Sequence, residues 1–125
     1  MKDAHPGNGR ITTHVLDLFC GQPARGMKLE LWRIGEVEER RLLRLADTNA
    51  DGRVNAPMLS GSELSPGVYE LVFCVGDYYQ EQGVEQGESS IFDRVPIRFR
   101  VRDADGHYHV PLLVAPGGYS TYRGS

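Results

Sequence analysis

Val95-Pro96-Ile97-Arg98-Phe99-Arg100-Val101-Arg102 alternates strictly between apolar or proline positions and arginine from Ile97 onward. On a β-strand successive side chains point to opposite faces, so Val95, Ile97, Phe99 and Val101 face a core while Arg98, Arg100 and Arg102 face water. Upstream, Gly67-Val68-Tyr69-Glu70-Leu71-Val72-Phe73-Cys74-Val75 is almost wholly apolar, as a strand in the middle of a sheet requires. Further out, Met27-Lys28-Leu29-Glu30-Leu31 again has period two, and residues 40–46 form a second arm that ends before the tight-turn dipeptide Asp51-Gly52. Residues 11–16 are short and β-branched and run into the turn Cys20-Gly21-Gln22-Pro23. Residues 107–114 form the last long strand, with residues 119–123 extending it after Pro116-Gly117-Gly118. Only residues 77–82 read as helix, about two turns long. Seven or eight short strands separated by turn signals predict an all-β antiparallel sandwich, which fifteen glycines and seven prolines suit.

With 125 residues the chain has the length of one domain. Residues 1–10 read as a polar, flexible leader and residues 11–125 as the folded domain. A hydrophobic content of 40% with 25% charged residues excludes a disordered or collagen-like chain. A net charge of −3, without a concentrated basic face, argues against a nucleic-acid partner. The longest apolar stretch, residues 110–116, is far too short to cross a bilayer, so no membrane partner is expected. The start has no secretory pattern, and the expected compartment is the cytoplasm. Cys20 and Cys74 fit no zinc or redox spacing and read as two reduced thiols, Cys74 buried. The stretch from Asp77 to Asp93 carries five acids and no base, and reads as a solvated helix and loop.

The last strand is apolar on both sides. Tyr108, Val110, Leu112 and Val114 point one way, while His107, His109, Pro111 and Leu113 point the other. Either another subunit or a loop of the same chain covers the second face, and Pro111 marks irregular pairing nearby. His5 falls in the leader and is set aside. His14, His107 and His109 remain; a His-X-His strand with a distant third histidine suits either a three-histidine zinc site or a metal-free acid–base pair. For any one of them alone, a hydrogen-bonded strand histidine is the simpler reading. With no carboxylate or thiolate beside them the metal-free reading is preferred, and no cofactor is expected. Asp47-Thr48-Asn49-Ala50-Asp51-Gly52 imitates the opening of a calcium loop, but its twelfth position is Met58 where a bidentate Glu belongs. No Gly-X-Ser-X-Gly elbow or phosphate-binding glycine loop occurs. Arg53 is either an ordinary turn-flanking charge or an anchor for an anion or carbonyl.

The run His107-Tyr108-His109-Val110-Pro111-Leu112-Leu113, leading to the closing Tyr122-Arg123-Gly124-Ser125, resembles the transthyretin-related family, and within it the branch that hydrolyses 5-hydroxyisourate. Ile11-Thr12-Thr13-His14-Val15-Leu16-Asp17 with Gly21-Gln22-Pro23-Ala24 resembles the family's opening motif. Asp51-Gly52-Arg53 and the run from Tyr69 to Tyr79 resemble its middle. The resemblance implies two four-stranded sheets with one short helix, assembled as a homotetramer, a dimer of dimers, with active sites at the dimer–dimer interface. It implies catalytic roles for His14, Arg53, His109 and Ser125, and substrate contacts from Arg53, Tyr122, Arg123, Gly124 and Ser125; His107 belongs to the pattern without ranking beside His109. The implied reaction opens the ring of 5-hydroxyisourate to 2-oxo-4-hydroxy-4-carboxy-5-ureidoimidazoline. His14 and His109 would activate water and shuttle protons, Arg53 would hold the substrate's oxygens, and Ser125 would add a hydroxyl and a terminal carboxylate. The alternative is a transthyretin-like small-ligand binder without catalysis, which three polar residues in the pocket disfavour. An immunoglobulin-like module is set aside because Val72 stands where its corner tyrosine belongs.

Overall fold

The computed structural model describes residues 7–84 and 91–125. Among these, the first half of the chain forms β1 (Arg10–Thr12), β2 (Val15–Asp17), β3 (Gln22–Pro23), β4 (Lys28–Ile34), β5 (Arg40–Asp47) and β6 (Leu59–Ser60). The second half forms β7 (Gly67–Cys74), α1 (Val75–Glu81), β8 (Arg94–Val101), β9 (His107–His109), β10 (Leu112–Ala115) and β11 (Gly118–Thr121).

One face of the sandwich is a four-stranded antiparallel sheet in the order β5-β4-β7-β8. The apolar run of β7 has neighbours on both sides, and Leu71 and Phe73 are fully buried between the layers. Its outer-face Glu70 is buried too, but it accepts a hydrogen bond from Arg98 at 3.0 Å and pairs with Arg40 at 3.2 Å, which compensates the charge. Strand β8 lies at the edge of the sheet. Val95 and Val101 are buried as expected, whereas Ile97 and Phe99 are only half-covered, because an edge strand has a neighbour on one side alone.

The opposite face consists of two ladders, β6-β1-β9 and β11-β10-β2-β3. The stretch expected as one strand over residues 11–16 is two, and so is the stretch over 107–114. The second break falls at Val110 and Pro111, where proline has no N–H to give to a ladder. Bonds from Val110 N to Thr12 O and from Leu112 N to His14 O, each 2.9 Å, carry the pairing across both gaps. These pairs run parallel, with Thr12 beside His109 and Val15 beside Leu112, inside an otherwise antiparallel molecule. Ile11, Val15, Tyr108, Leu112 and Val114 thereby enter the core together.

Helix α1 follows β7 directly and is tied to β2. The buried Asp17 carboxylate accepts hydrogen bonds from Tyr78 Oη at 2.9 Å, Tyr79 Oη at 2.7 Å and Phe19 N at 2.9 Å. Of the acidic stretch, the helix and the exposed Asp93 are described, while Glu85 and Glu88 lie outside the described residues. Of the leader, residues 1–6, with His5, likewise lie outside them; Gly9 is buried and Arg10 opens β1. Both cysteines are unpaired, Cys20 exposed and Cys74 buried. No helix among the described residues is long and apolar enough to cross a membrane.

Candidate active site

The site grows from the two gaps. His14 stands between β1 and β2 and forms an isolated antiparallel bridge with Arg53. Arg53 is delivered by the turn at residues 49–52. Asn49 organises it by accepting hydrogen bonds on Oδ1 from the N–H groups of Asp51 (2.9 Å) and Arg53 (3.1 Å). Gly52 has φ +74°, and a Cβ there would lie 2.4 Å from the carbonyl oxygen of Val15. Only glycine lets the turn press close enough for Val15 N to donate to Gly52 O at 2.8 Å.

His109 ends β9 and is 6% exposed. The C-terminal segment folds back over it: Gly124 N donates to His109 O at 2.8 Å, and Thr121 Oγ1 donates to Pro111 O at 2.7 Å. A Cβ on Gly124 would fall 2.5 Å from His109 Cδ2, so the absence of a side chain is what lets the tail lie flat on the imidazole. The second face of the last strand is therefore covered in part by the chain's own tail. Pro111 is buried there, while His107 and Leu113 remain half-buried.

Four side chains form one hydrogen-bonded row. His14 Nδ1 lies 2.8 Å from His109 Nε2, His109 Nδ1 lies 2.7 Å from Thr12 Oγ1, and Thr12 Oγ1 lies 2.8 Å from His107 Nε2. Both nitrogens of His109 are thus engaged within the row, and His14 Nε2 and His107 Nδ1 are the two ring nitrogens left outside it. Thr12 is the member that the sequence did not single out. A threonine in a strand is ordinary, and only the parallel register of β1 with β9 puts it between two histidines.

All three imidazoles are held below their ordinary pKa of 6.5. Burial and then the Arg53 guanidinium lower His14. Burial, His14, Arg53 and His107, in that order, lower His109 to about 4. Burial, then Arg10 and Arg123, lower His107. Each effect disfavours the charged ring, so the row is neutral at pH 7. Among the described residues, no group of three His, Cys, Asp or Glu side chains has the arrangement to hold a metal ion.

A recess of about 320 Å³ opens beside the row, walled by Arg10, Thr12, Arg53, His107, His109 and Ser125 among others. His14 meets it through His109. Tyr122 and Arg123 are turned elsewhere. They line a separate groove of about 380 Å³ with Ile97, Phe99 and Tyr108, and that groove contains no histidine. The Arg123 guanidinium lies 4.6 Å from the centre of the Tyr108 ring and donates to His107 O at 3.2 Å. Within one chain, then, the closing tetrapeptide divides: Ser125 reaches the recess, Gly124 seats His109, and Tyr122 and Arg123 do neither.

The model of the HIUase/Transthyretin family matches residues 11–124. The "5-hydroxyisourate hydrolase 2" of Rhizobium meliloti is 52% identical over 118 residues, covering 94% of this chain and 98% of the relative. Among solved structures, 5-hydroxyisourate hydrolase from Klebsiella pneumoniae superposes with a TM-score of 0.74 at 38% identity, covering 94% of this chain and 99% of that one. Transthyretin from Sparus aurata superposes with a TM-score of 0.80 at 22% identity, over 90% of this chain and 94% of that one, a likeness of fold alone.

Proposed function

The chain belongs to the HIUase/Transthyretin family, and we propose how its site carries out the reaction that membership brings. Its activity is the hydrolysis of 5-hydroxyisourate in urate degradation. The reaction breaks an acyl–nitrogen bond of the six-membered ring and yields 2-oxo-4-hydroxy-4-carboxy-5-ureidoimidazoline. Water must lose a proton as it attacks, the carbonyl oxygen must carry charge, and the leaving nitrogen must gain a proton.

The observation that carries our reading of the mechanism is the 2.8 Å contact between two neutral imidazoles, His14 and His109, beside Arg53. A neutral imidazole accepts a proton at one nitrogen and releases one from the other, so the pair suits water activation and proton shuttling near pH 7. Arg53, fixed by its glycine turn, holds the substrate's oxygens and stabilises charge developing on the carbonyl through charge-assisted hydrogen bonds. Ser125 supplies a hydroxyl at the mouth of the recess. Tyr122, Arg123 and Gly124 complete the substrate contacts where a neighbouring subunit closes over the tail, in a homotetramer built as a dimer of dimers. Residence in the cytoplasm accords with an exposed, unpaired Cys20. The carrier reading suits this recess less well, since Arg10, Arg53, His107 and His109 make its wall polar.

The test is turnover of freshly generated 5-hydroxyisourate, followed by ultraviolet absorbance against the spontaneous rate. His14→Ala and His109→Ala should each lower kcat by about 100-fold or more, the range expected on losing a general acid or base. Near-normal turnover in either would sink the histidine mechanism.

A further inference from the structure

The row His14–His109–Thr12–His107 permits two complete proton arrangements. In one, His14 Nδ1–H donates to His109 Nε2, His109 Nδ1–H donates to Thr12 Oγ1, and the Thr12 hydroxyl donates to His107 Nε2; His14 Nε2 is then bare and His107 Nδ1 carries a proton. In the other, every bond is reversed, His14 Nε2 carries the proton and His107 Nδ1 is bare. Each donates one proton per link and leaves all three rings neutral, which follows from the two distinct nitrogens of imidazole and the hydroxyl's capacity to donate and accept. The two arrangements differ by one proton entering at one end and one leaving at the other.

We propose that Thr12 and His107 extend the His14–His109 pair into a four-member proton relay, in which a proton taken from the attacking water at His14 Nε2 is matched by one released from His107 Nδ1 into the recess. The balance is closed. Water loses a proton to His14 Nε2, and His14 Nδ1 passes its own to His109 Nε2. His109 Nδ1 passes one to Thr12 Oγ1, and the former hydroxyl proton moves to His107 Nε2. His107 Nδ1 then gives up its proton to solvent, solvent supplies the proton that the leaving nitrogen gains, and the reverse passage restores the starting state.

Three features support it. His109, whose two nitrogens are both engaged in the row, acts on a proton only by passing one through, and Thr12 is its sole partner on the Nδ1 side among the described residues. Among the described residues the charged side chains that lower the three rings are the cations Arg10, Arg53 and Arg123, so a relay that never stores charge on His109 avoids a repelled imidazolium. His107 lines the open recess, so the proton released from its Nδ1 has solvent to enter. Thr12 is in this scheme a positioning residue that acts through the two rings it joins.

The proposal rests on the histidine mechanism above, and the experiment separates their failures. In the full-length protein, Thr12→Val, which keeps the β-branched shape and removes the hydroxyl, should lower kcat about 10- to 100-fold with KM within about twofold. Thr12→Ser should restore most of the rate. His107→Gln should match Thr12→Val, and the double variant should be no slower than either single one, because both break the same row. In mixtures of light and heavy water the parent rate should curve with deuterium content, as several moving protons require, and the Thr12→Val rate should be linear. The relay is overturned if Thr12→Val keeps the parental kcat while His14→Ala does not, if Thr12→Ser falls as far as Thr12→Val, or if the losses multiply in the double variant. Normal turnover in His14→Ala would overturn the histidine mechanism and the relay together.

Discussion

At the scale of single residues the site is set by what lowers imidazole charge. His109 titrates near 4 against an ordinary 6.5, with burial the largest cause and Arg53 third, after His14. Above pH 6.5 the ring is neutral in folded and unfolded chains alike, and this group costs nothing. Between 6.5 and about 4 the unfolded chain binds a proton that the folded one refuses, so stability falls as pH falls through that window. Activity that needs a neutral row therefore holds through pH 7 and fails only on the acid side, below 6.5. Replacing Arg53 by Met removes one cause and leaves burial, the largest for both His14 and His109. The His14 and His109 midpoints, followed by NMR of their ring protons, should move upward yet remain below 6.5. Unchanged midpoints would show that Arg53 does not act on the pair electrostatically.

At the scale of elements, the link between α1 and β2 holds the helix beside the strand that follows His14. Tyr79→Phe deletes the 2.7 Å bond to Asp17 and a 3.1 Å bond to Val114 O, while Tyr78 retains its own. Loss of a hydrogen bond to a charged group should cost about 1.5–3 kcal/mol, read from urea unfolding at fixed protein concentration. A midpoint within error of the parent would mean that the Asp17 anchor contributes little. The elements themselves were largely legible in the sequence. Period-two alternation marked β4 and β8, and an apolar run marked β7, because burial on one or both faces leaves that imprint on side-chain order. Pairing partners leave no such imprint. Alternation shows which way Thr12 and His109 point but not that β1 runs parallel beside β9, and the row of four polar side chains exists only through that register. The family's motifs singled out His14, Arg53, His109 and Ser125 as candidates, and the fold brings Arg53, His109 and Ser125 to one recess with His14 bonded to His109. That Arg123 lies over Tyr108, away from the recess, depends on the path of the tail, which no local pattern records.

At the scale of the whole molecule, 125 residues folded as a sandwich fill their interior with their own core, so the site is a recess at the surface, open on a single chain. A recess with a mobile water boundary stabilises developing charge poorly, because water screens Arg53 and competes for the carbonyl oxygen. Closure by a second copy would remove that screening, and it would also give Tyr122 and Arg123, exposed on the tail and directed away from their own recess, something to meet. If the homotetramer supplies this closure, assembly and turnover are linked by mass action. On serial dilution, specific activity should fall as the tetramer dissociates, with the midpoint of the loss coinciding with the mass transition seen by light scattering. The protein should also resist heat better at high concentration than at low. A dissociated subunit that keeps full specific activity would place the complete site within one chain, and the role of Tyr122 and Arg123 would then be confined to packing the tail onto Tyr108.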